Sequence, residues 1–133
     1  MTGRTKKTKS SRRGKFDVRI KRVYEDLLPE DGARFLVDGL WPRGVQKKAL
    51  SSVTWMREIA PSASLRKWYG HEPKKWEEFQ KRYRLELKEN AAAWKPVLEA
   101  AKKGRVTLLT ATREVEISHA AVLQDFLIEK TAA

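Results

Sequence analysis

Three short stretches of the chain have the apolar patterns of β-strands. In residues 16–24, Val18 and Ile20 alternate with charged neighbours, which predicts a half-exposed strand that suits the edge of a sheet. Residues 35–37 and 106–110 are mainly apolar, which predicts two strands covered on both faces. The sequence therefore indicates a small sheet with two central strands.

Helical periodicity fills most of the remaining chain. Serine caps, a proline start and glycine or proline stops divide residues 51–104 into four predicted helices. They run from Ser51 or Ser52 to Pro61, from Ser62 or Ser64 to Gly70, from Pro73 through Leu87, and from about Lys95 to Gly104. A last helix follows Glu116 and places Ala120, Leu123 and Leu127 on its core face.

Strands separated by helical segments predict an α/β fold. We expect residues 16–133 to form a single, small three-layer domain, with a short, mostly parallel sheet flanked by helices. A right-handed crossover from the second strand to the third places the carboxyl ends of both at one edge of the sheet. Residues 25–32 are too short for a crossover helix, so the residues alone leave open whether the first two strands form a hairpin or a parallel pair.

The second strand runs directly into a loop that carries candidate chemistry. Asp38 follows the strand and cannot be buried as an ion without partners. Trp41 lies between Gly39 and Gly44, where an indole ring is a candidate platform for a ligand. Ligands of α/β proteins bind outside the carboxyl ends of the strands, so we place the candidate site in this loop.

Two arginines are expected to meet at that edge. Arg43 follows the second strand, and Arg113 follows the third. The last helix begins near Ser118, and its free N–H groups favour a phosphate or carboxylate. The sequence therefore predicts an anion site formed by Arg43, Arg113 and Ser118.

Asp38 and His119 are the candidate proton carriers of this site. The structural alternative for Asp38 is an ion pair with Arg43 or Arg22 that closes the sheet. The alternative for His119 is a residue at a helix N-terminus without any chemistry. The residues alone leave these alternatives open.

Several cofactor classes are disfavoured by the motifs. The stretch 39–44 has the glycine spacing of a phosphate loop, but Val45 and Gln46 stand where Lys and Ser or Thr are required. The chain has no cysteine, and His71 and His119 lack the clustered pattern of metal ligands. We therefore expect neither a metal nor another cofactor.

The basic charge of the chain is concentrated at its start. The net charge is +12, and residues 1–15 contain seven basic residues and no acidic one. We expect this arm to be disordered in isolation and to contact nucleic acid, the alternative being a merely solubilising extension. The seven candidate residues for nucleic-acid binding are Arg4, Lys6, Lys7, Lys9, Arg12, Arg13 and Lys15.

Location is suggested by what the chain lacks. No apolar run approaches the roughly 18 residues of a membrane span, and no apolar region follows the basic start, as a signal peptide would require. The absence of cysteine suits a reducing compartment. We expect a cytoplasmic protein without a membrane partner, and the oligomeric state is left open.

Several short motifs resemble those of one family. They are Arg-Val-Tyr at 22–24, Asp-Gly at 31–32, Leu-Val-Asp at 36–38, Leu-Trp-Pro-Arg-Gly at 40–44, Ala-Pro-Ser at 60–62, Leu-Arg-Lys at 65–67 and Thr-Leu-Leu at 107–109. With these motifs the chain resembles the YeaO-like family, a bacterial and archaeal domain of unknown function. The resemblance implies a compact α/β domain with a short parallel sheet, and it implies no established reaction.

The chain departs from that family at the candidate site. Gly39 stands where the family usually has a basic residue, and Thr110 stands where it favours a tyrosine. The leading hypothesis is the binding of a phosphate-bearing ligand at the strand ends, with nucleic acid contacted through the arm. One alternative is a small metal-independent enzyme for an anionic substrate, with Asp38 and His119 as acid and base and the two arginines as a clamp. Another is a module that binds a protein partner.

Overall fold

The computed structural model describes residues 16–132, which contain a four-stranded sheet. The strands are β1 Val18–Arg22, β2 Ala33–Leu36, β3 Thr54–Trp55 and β4 Val106–Thr110. They lie in the order β1-β4-β2-β3, and every neighbouring pair is parallel. The α/β class and the parallel sheet are confirmed. β1 is an edge strand as predicted, and β4 separates it from β2.

Four α-helices accompany the sheet in the described part of the chain. They are α1 Ala63–Tyr69, α2 Trp76–Lys88, α3 Ala91–Lys103 and α4 His119–Ala132. α1 begins at a serine cap, where the Leu65 N–H donates to Ser62 Oγ at 3.2 Å, and it ends at the left-handed Gly70. Within residues 16–132 no helix combines the length and apolar character needed to cross a membrane.

Two of the predicted helices were wrong in type or extent. The segment predicted as a helix before Pro61 contains β3 and a 3-10 helix, Arg57–Ile59. Pairing of β3 with β2 overrides the weak helical pattern there. α3 begins four residues before Lys95 and contains Pro96 within it. The alanines at its start favour a helix, and Pro96 removes only one early backbone hydrogen bond.

All four helices pack on the same face of the sheet. Val18, Phe35 and Leu108 belong to the main hydrophobic core, which includes buried residues from every helix. Tyr83 of α2 is fully buried there, and its hydroxyl donates to the Ile59 carbonyl at 2.7 Å. This core fixes the helices against the sheet and so fixes where α1 and α4 begin.

Loops cover the opposite face of the sheet. Leu36 and Leu109 lie in a second, smaller core together with Leu50, which belongs to the connection between β2 and β3. Trp41 and Trp55 pack against this core with their rings edge to face, 5.2 Å apart. The third layer of the fold is therefore a layer of loops and 3-10 turns, where we had expected helices.

Candidate functional site

A cleft of about 370 Å³ opens at the carboxyl edge of the parallel sheet, and we call it the strand-end cleft. Its lining residues come from the loops after β1 and β2, from the segment between β4 and the start of α4, from the region of α1, and from α2. Those used below are Tyr24, Asp38, Gly39, Leu40, Trp41, Arg43, Arg66, Tyr69, His71, Ala111, Thr112, Ser118 and His119. The cleft lies where the topology predicts a ligand site.

Asp38 and His119 form a close pair in this cleft. His119 Nε2 lies 3.1 Å from Asp38 Oδ1 and 3.1 Å from the Val37 carbonyl oxygen. Because a carbonyl oxygen can only accept, Nε2 carries a hydrogen and donates to both oxygens. The sequence predicted that both residues reach this edge, and the structure brings them into contact.

The Asp38 carboxylate is held by two further donors. The Thr110 hydroxyl donates to Oδ1 at 2.8 Å, and the Ala111 N–H donates to Oδ2 at 2.8 Å. Burial raises the pKa of Asp38, but hydrogen bonds and the charge of His119 outweigh burial, so the net pKa of Asp38 lies below its ordinary value. Asp38 is therefore an anion fixed in one orientation.

Neither arginine proposed as the structural partner of Asp38 takes that role. Arg22 donates instead to the carbonyl oxygens of Thr112 at 3.1 Å and Ala111 at 3.2 Å. The side chain of His119 lies against Asp38 instead, so the alternative of an ion pair with Arg43 or Arg22 was wrong.

Arg43 and Arg66 both line the cleft, and neither guanidinium has a hydrogen-bond or ion-pair partner among residues 16–132. Arg66 is half-buried, which makes its unpaired charge unusual. Most other described arginines have an acidic, carbonyl or aromatic partner: Arg19, Arg22, Arg34, Arg57, Arg82, Arg84 and Arg105. The cleft thus combines two unpaired cations with the Asp38–His119 pair.

Gly39 leaves space for the Arg66 guanidinium. A Cβ atom built on Gly39 would lie 2.3 Å from Arg66 Nη1. Any side chain at position 39 would therefore displace this guanidinium. The departure from the family pattern at Gly39 bears directly on the position of a cleft cation.

The other predicted anion ligands are placed differently. Arg113 follows β4 as expected, but it is exposed and is not among the residues that line the cleft. Ser118 does line the cleft and is buried, but its hydroxyl donates to the Val115 carbonyl at 2.7 Å. In the cleft lining, Arg66 stands beside Arg43 where Arg113 was expected.

Trp41 lines the cleft while its indole is held by its own loop. Its Nε1–H donates to the Val45 carbonyl at 2.6 Å, and its ring packs edge to face on Trp55. The ring is partly buried, and its position is fixed before any ligand arrives. Trp41 therefore contributes a rigid apolar surface to the cleft.

The α1 side of the cleft contains residues that the sequence did not single out. Tyr69 is buried, stacks on Phe79 at 4.2 Å and donates its hydroxyl to the Ile117 carbonyl at 2.8 Å. Burial, and secondarily the charge of Glu114, raises the pKa of Tyr69. His71 follows in a left-handed conformation with φ 58°. Only the family-like Leu-Arg-Lys motif at 65–67 pointed to this region.

The residues present offer little for a metal. Within residues 16–132 no group of three or more His, Asp or Glu side chains is arranged to hold a metal ion. Apart from the histidines, the ionisable side chains that can be charged at neutral pH in the cleft lining are Arg43, Arg66 and Asp38, so the cations outnumber the anion, which suits an anionic ligand better than a cation.

Comparison with known proteins identifies relatives over nearly the whole chain. A family model described as "Inactive DUF488-N3 subclade" matches residues 17–133. The uncharacterized protein Rv3073c of Mycobacterium tuberculosis (strain ATCC 25618 / H37Rv) is 46% identical over 110 residues, which cover 83% of this chain and 92% of that protein. The uncharacterized protein YeaO of Escherichia coli (strain K12) is 39% identical over 112 residues, which cover 84% of this chain and 97% of YeaO.

No solved structure matches the chain significantly. The resemblance to YeaO-like proteins is confirmed by the family match and by YeaO itself. Neither the family description nor the names of these relatives state a ligand or a reaction. The chain belongs to the DUF488-N3i family, described as the inactive DUF488-N3 subclade, with YeaO among its relatives.

Proposed function

We propose that this protein binds a small phosphate-bearing ligand in the strand-end cleft and does not transform it chemically. The observation that carries the proposal is the half-buried Arg66 guanidinium, which lines the cleft without a hydrogen-bond or ion-pair partner in the described chain. An arginine offers a planar fork of N–H donors that fits phosphate oxygens. Arg43 supplies a second unpaired cation in the same cleft.

Binding without turnover agrees with the state of Asp38. Its carboxylate already accepts hydrogen bonds from Thr110, Ala111 and His119, which occupy most of its acceptor sites. A lowered pKa also makes it a weaker base. The description of the matching family as inactive supports the same conclusion.

The second candidate function is metal-independent catalysis on an anionic substrate, which the 3.1 Å contact between Asp38 and His119 favours. If Asp38 orients a catalytic His119, Asp38→Asn removes turnover of any substrate found and leaves binding intact. If the pair is structural, the variant loses stability and still binds. A phosphate-bearing compound that the protein converts, with conversion lost in Asp38→Asn, would replace the first proposal with this one.

The binding proposal is tested by thermal unfolding in phosphate. Phosphate should raise the melting temperature above that in chloride at equal ionic strength, because a ligand of the folded state stabilises it by mass action. Arg66→Ala and Arg43→Ala should each weaken this effect. Arg84→Ala is the matched control, because its guanidinium pairs with Glu129 at 3.0 Å on the surface and should leave the phosphate response unchanged. A response that persists in Arg66→Ala would contradict the proposal.

Arg113→Ala distinguishes the cleft site formed by Arg43 and Arg66 from the site predicted from the sequence, which contains Arg43 and Arg113. The exposed Arg113 does not line the cleft, so its removal should change the phosphate response less than Arg66→Ala. A larger effect of Arg113→Ala would restore the sequence-predicted pair of Arg43 and Arg113.

We further propose that the basic arm contacts nucleic acid. Its seven basic residues lie outside the described residues, so the proposal rests on charge alone. The arm and the cleft contain different residues, since the cleft is lined from Tyr24 onward, so variants of the arm and of the cleft should separate the two activities.

Salt dependence tests the arm. If all seven basic residues neutralise phosphates, a plot of log affinity against log salt concentration has a slope of about −6, and fewer contacts give a shallower slope. Changing the seven basic residues to Gln in the full chain should flatten the slope and remove most duplex binding, while the phosphate response of the cleft remains. Equal duplex binding by this variant would show that the arm is only an extension.

A further inference from the structure

The strand-end cleft leaves apolar surface exposed beside its cations. The described chain exposes four large apolar side chains, Tyr24, Leu28, Leu40 and Leu85, and two of these, Tyr24 and Leu40, line the cleft. Leu40 is 68% exposed, although it lies in a loop whose neighbour Trp41 is packed. We call Tyr24 and Leu40 the apolar lip of the cleft.

The apolar lip is connected to the loop that carries one of the two cleft cations, Arg43. The Tyr24 hydroxyl donates to the Arg43 backbone carbonyl at 3.1 Å, so the tyrosine is tied to the loop that carries both Leu40 and Arg43. The Arg22 guanidinium lies 5.0 Å from the Tyr24 ring centroid and steadies that ring. A ligand that contacts Arg43 therefore also lies near this apolar surface.

A phosphate alone would leave the apolar lip in water, and so would a simple sugar phosphate. His71 adds a ring that lines the cleft and has no hydrogen-bond partner among residues 16–132. The volume of about 370 Å³ lies near the lower end of the range for small-ligand pockets and is suited to a ligand of the size of a mononucleotide. The lining thus combines a flat apolar contact, hydrogen-bonding groups and cations.

We infer that the ligand is a nucleotide, with its phosphate at Arg66 and Arg43 and its base packed against Leu40 and Tyr24. This inference rests on the proposed phosphate binding and adds the chemical class of the ligand. Bases pack on apolar and aromatic side chains through their flat faces with little dependence on sequence. The lip should therefore accept more than one base.

The test compares probes that share a phosphate. Calorimetric titration of the full chain would use AMP, GMP, CMP and UMP, with ribose 5-phosphate and inorganic phosphate as probes that lack a base. Base contact should make at least one nucleotide bind about tenfold tighter than ribose 5-phosphate. Leu40→Ser should remove this advantage and leave ribose 5-phosphate unchanged. Leu85→Ser is the matched control, since Leu85 is 60% exposed on α2 and does not line the cleft.

The outcomes distinguish failure of the nucleotide inference from failure of the proposed phosphate binding. Equal affinity for ribose 5-phosphate and all four nucleotides would overturn the nucleotide inference and leave the phosphate site standing. Nucleotide binding that Leu40→Ser does not weaken would overturn the inference as well. Failure of every phosphate-bearing probe would overturn the proposed function itself. A 5′-phosphorylated trinucleotide identifies the source of the nucleotide: Leu40-dependent binding tighter than that of the monophosphates supports the end of a strand, and weaker binding supports a free nucleotide.

Discussion

Each edge of the sheet holds a largely buried carboxylate, and the two carboxylates have different partners. At the amino edge, Asp31 is 5% exposed and pairs with Lys21 and Arg34, each at 3.0 Å. At the carboxyl edge, Asp38 is 14% exposed and pairs with His119 at 3.1 Å. One carboxylate meets permanent cations, and the other meets a residue that can lose its charge.

The two edges differ in whether their charged side chains find partners within the fold. Asp31 also accepts the Leu28 N–H at 2.8 Å, and its carbonyl accepts the Thr107 hydroxyl at 2.7 Å. Both cations that contact Asp31 are therefore paired within the fold. At the carboxyl edge the guanidinium groups of Arg43 and Arg66 have no hydrogen-bond or ion-pair partner within residues 16–132. This contrast is the reason for proposing a ligand at the carboxyl edge.

The largest expected effect is on the amino edge. Asp31→Asn leaves Lys21 and Arg34, both largely buried, without their counter-charge, and this should lower the free energy of unfolding by about 3 kcal/mol or more. Chemical denaturation measures the loss. Asp26→Asn makes the same change at an exposed position nearby and should be close to neutral. A loss below about 1 kcal/mol in Asp31→Asn would remove the contrast between the two edges.

A smaller loss is expected on the carboxyl edge. Asp38→Asn weakens the hydrogen bonds from His119, Thr110 and Ala111 and should cost about 2 kcal/mol. The loss is smaller than for Asp31 because Asp31→Asn removes the counter-charge of two largely buried cations, Lys21 and Arg34, whereas the amide of Asp38→Asn can still accept hydrogen bonds through its oxygen. The phosphate response should survive in this variant. Greater destabilisation than in Asp31→Asn would reverse the ranking of the edges.

A fall in pH should reduce the stability that the carboxylates at both edges contribute. Burial raises the pKa of Asp31, but the Leu28 N–H, Lys21 and Arg34 lower it further, so its net pKa is depressed, as is that of Asp38. A depressed folded-state pKa contributes stability that is present above the unfolded pKa of about 4 and is lost as the pH falls through the folded pKa. Unfolding free energies measured from pH 6 to pH 2 should therefore decline less steeply in Asp31→Asn than in the natural protein. Parallel curves would show that Asp31 gains nothing from its partners.

Of these variants, Gly39→Ala should change stability least, and it should clearly weaken phosphate binding. The Cβ of Gly39→Ala would lie 2.3 Å from Arg66 Nη1 and 3.4 Å from Ala60 Cβ. The second distance is an ordinary contact and the end of the arginine side chain can move aside, so the melting temperature should shift little. Displacement of the guanidinium should nevertheless weaken the phosphate response. Gly44→Ala is an unsuitable control because Gly44 has φ 78°, whereas Gly104→Ala meets no atom within 4 Å and suits the purpose. An unchanged phosphate response in Gly39→Ala would show that the guanidinium position is unimportant.

Sequence patterns predicted which residues lie at the carboxyl edge of the sheet better than they predicted the contacts that those residues make. Parallel strands at 35–37 and 106–110 were enough to bring Asp38 and His119 to one edge. β3 was missed because a strand of two residues, Thr54–Trp55, has no detectable period and exists only through its pairing with β2.

The arginine of the cleft was harder to predict. Arg66 meets Gly39 only because α1 packs beside the loop after β2, and no local pattern encodes that approach. Its helix was predicted correctly from the Ser62 cap to Gly70. The side chain's lack of a partner is visible only when every neighbour is placed. Local patterns therefore predicted most of the elements, whereas the contacts of the site depend on tertiary packing.

A crystal structure of the protein grown with phosphate tests the central claim most directly. The account predicts one phosphate in the strand-end cleft, contacted by the guanidinium groups of Arg66 and Arg43, and its loss in crystals of Arg66→Ala. Phosphate bound only elsewhere, with Arg66 paired to an acidic side chain and the cleft closed, would contradict the account.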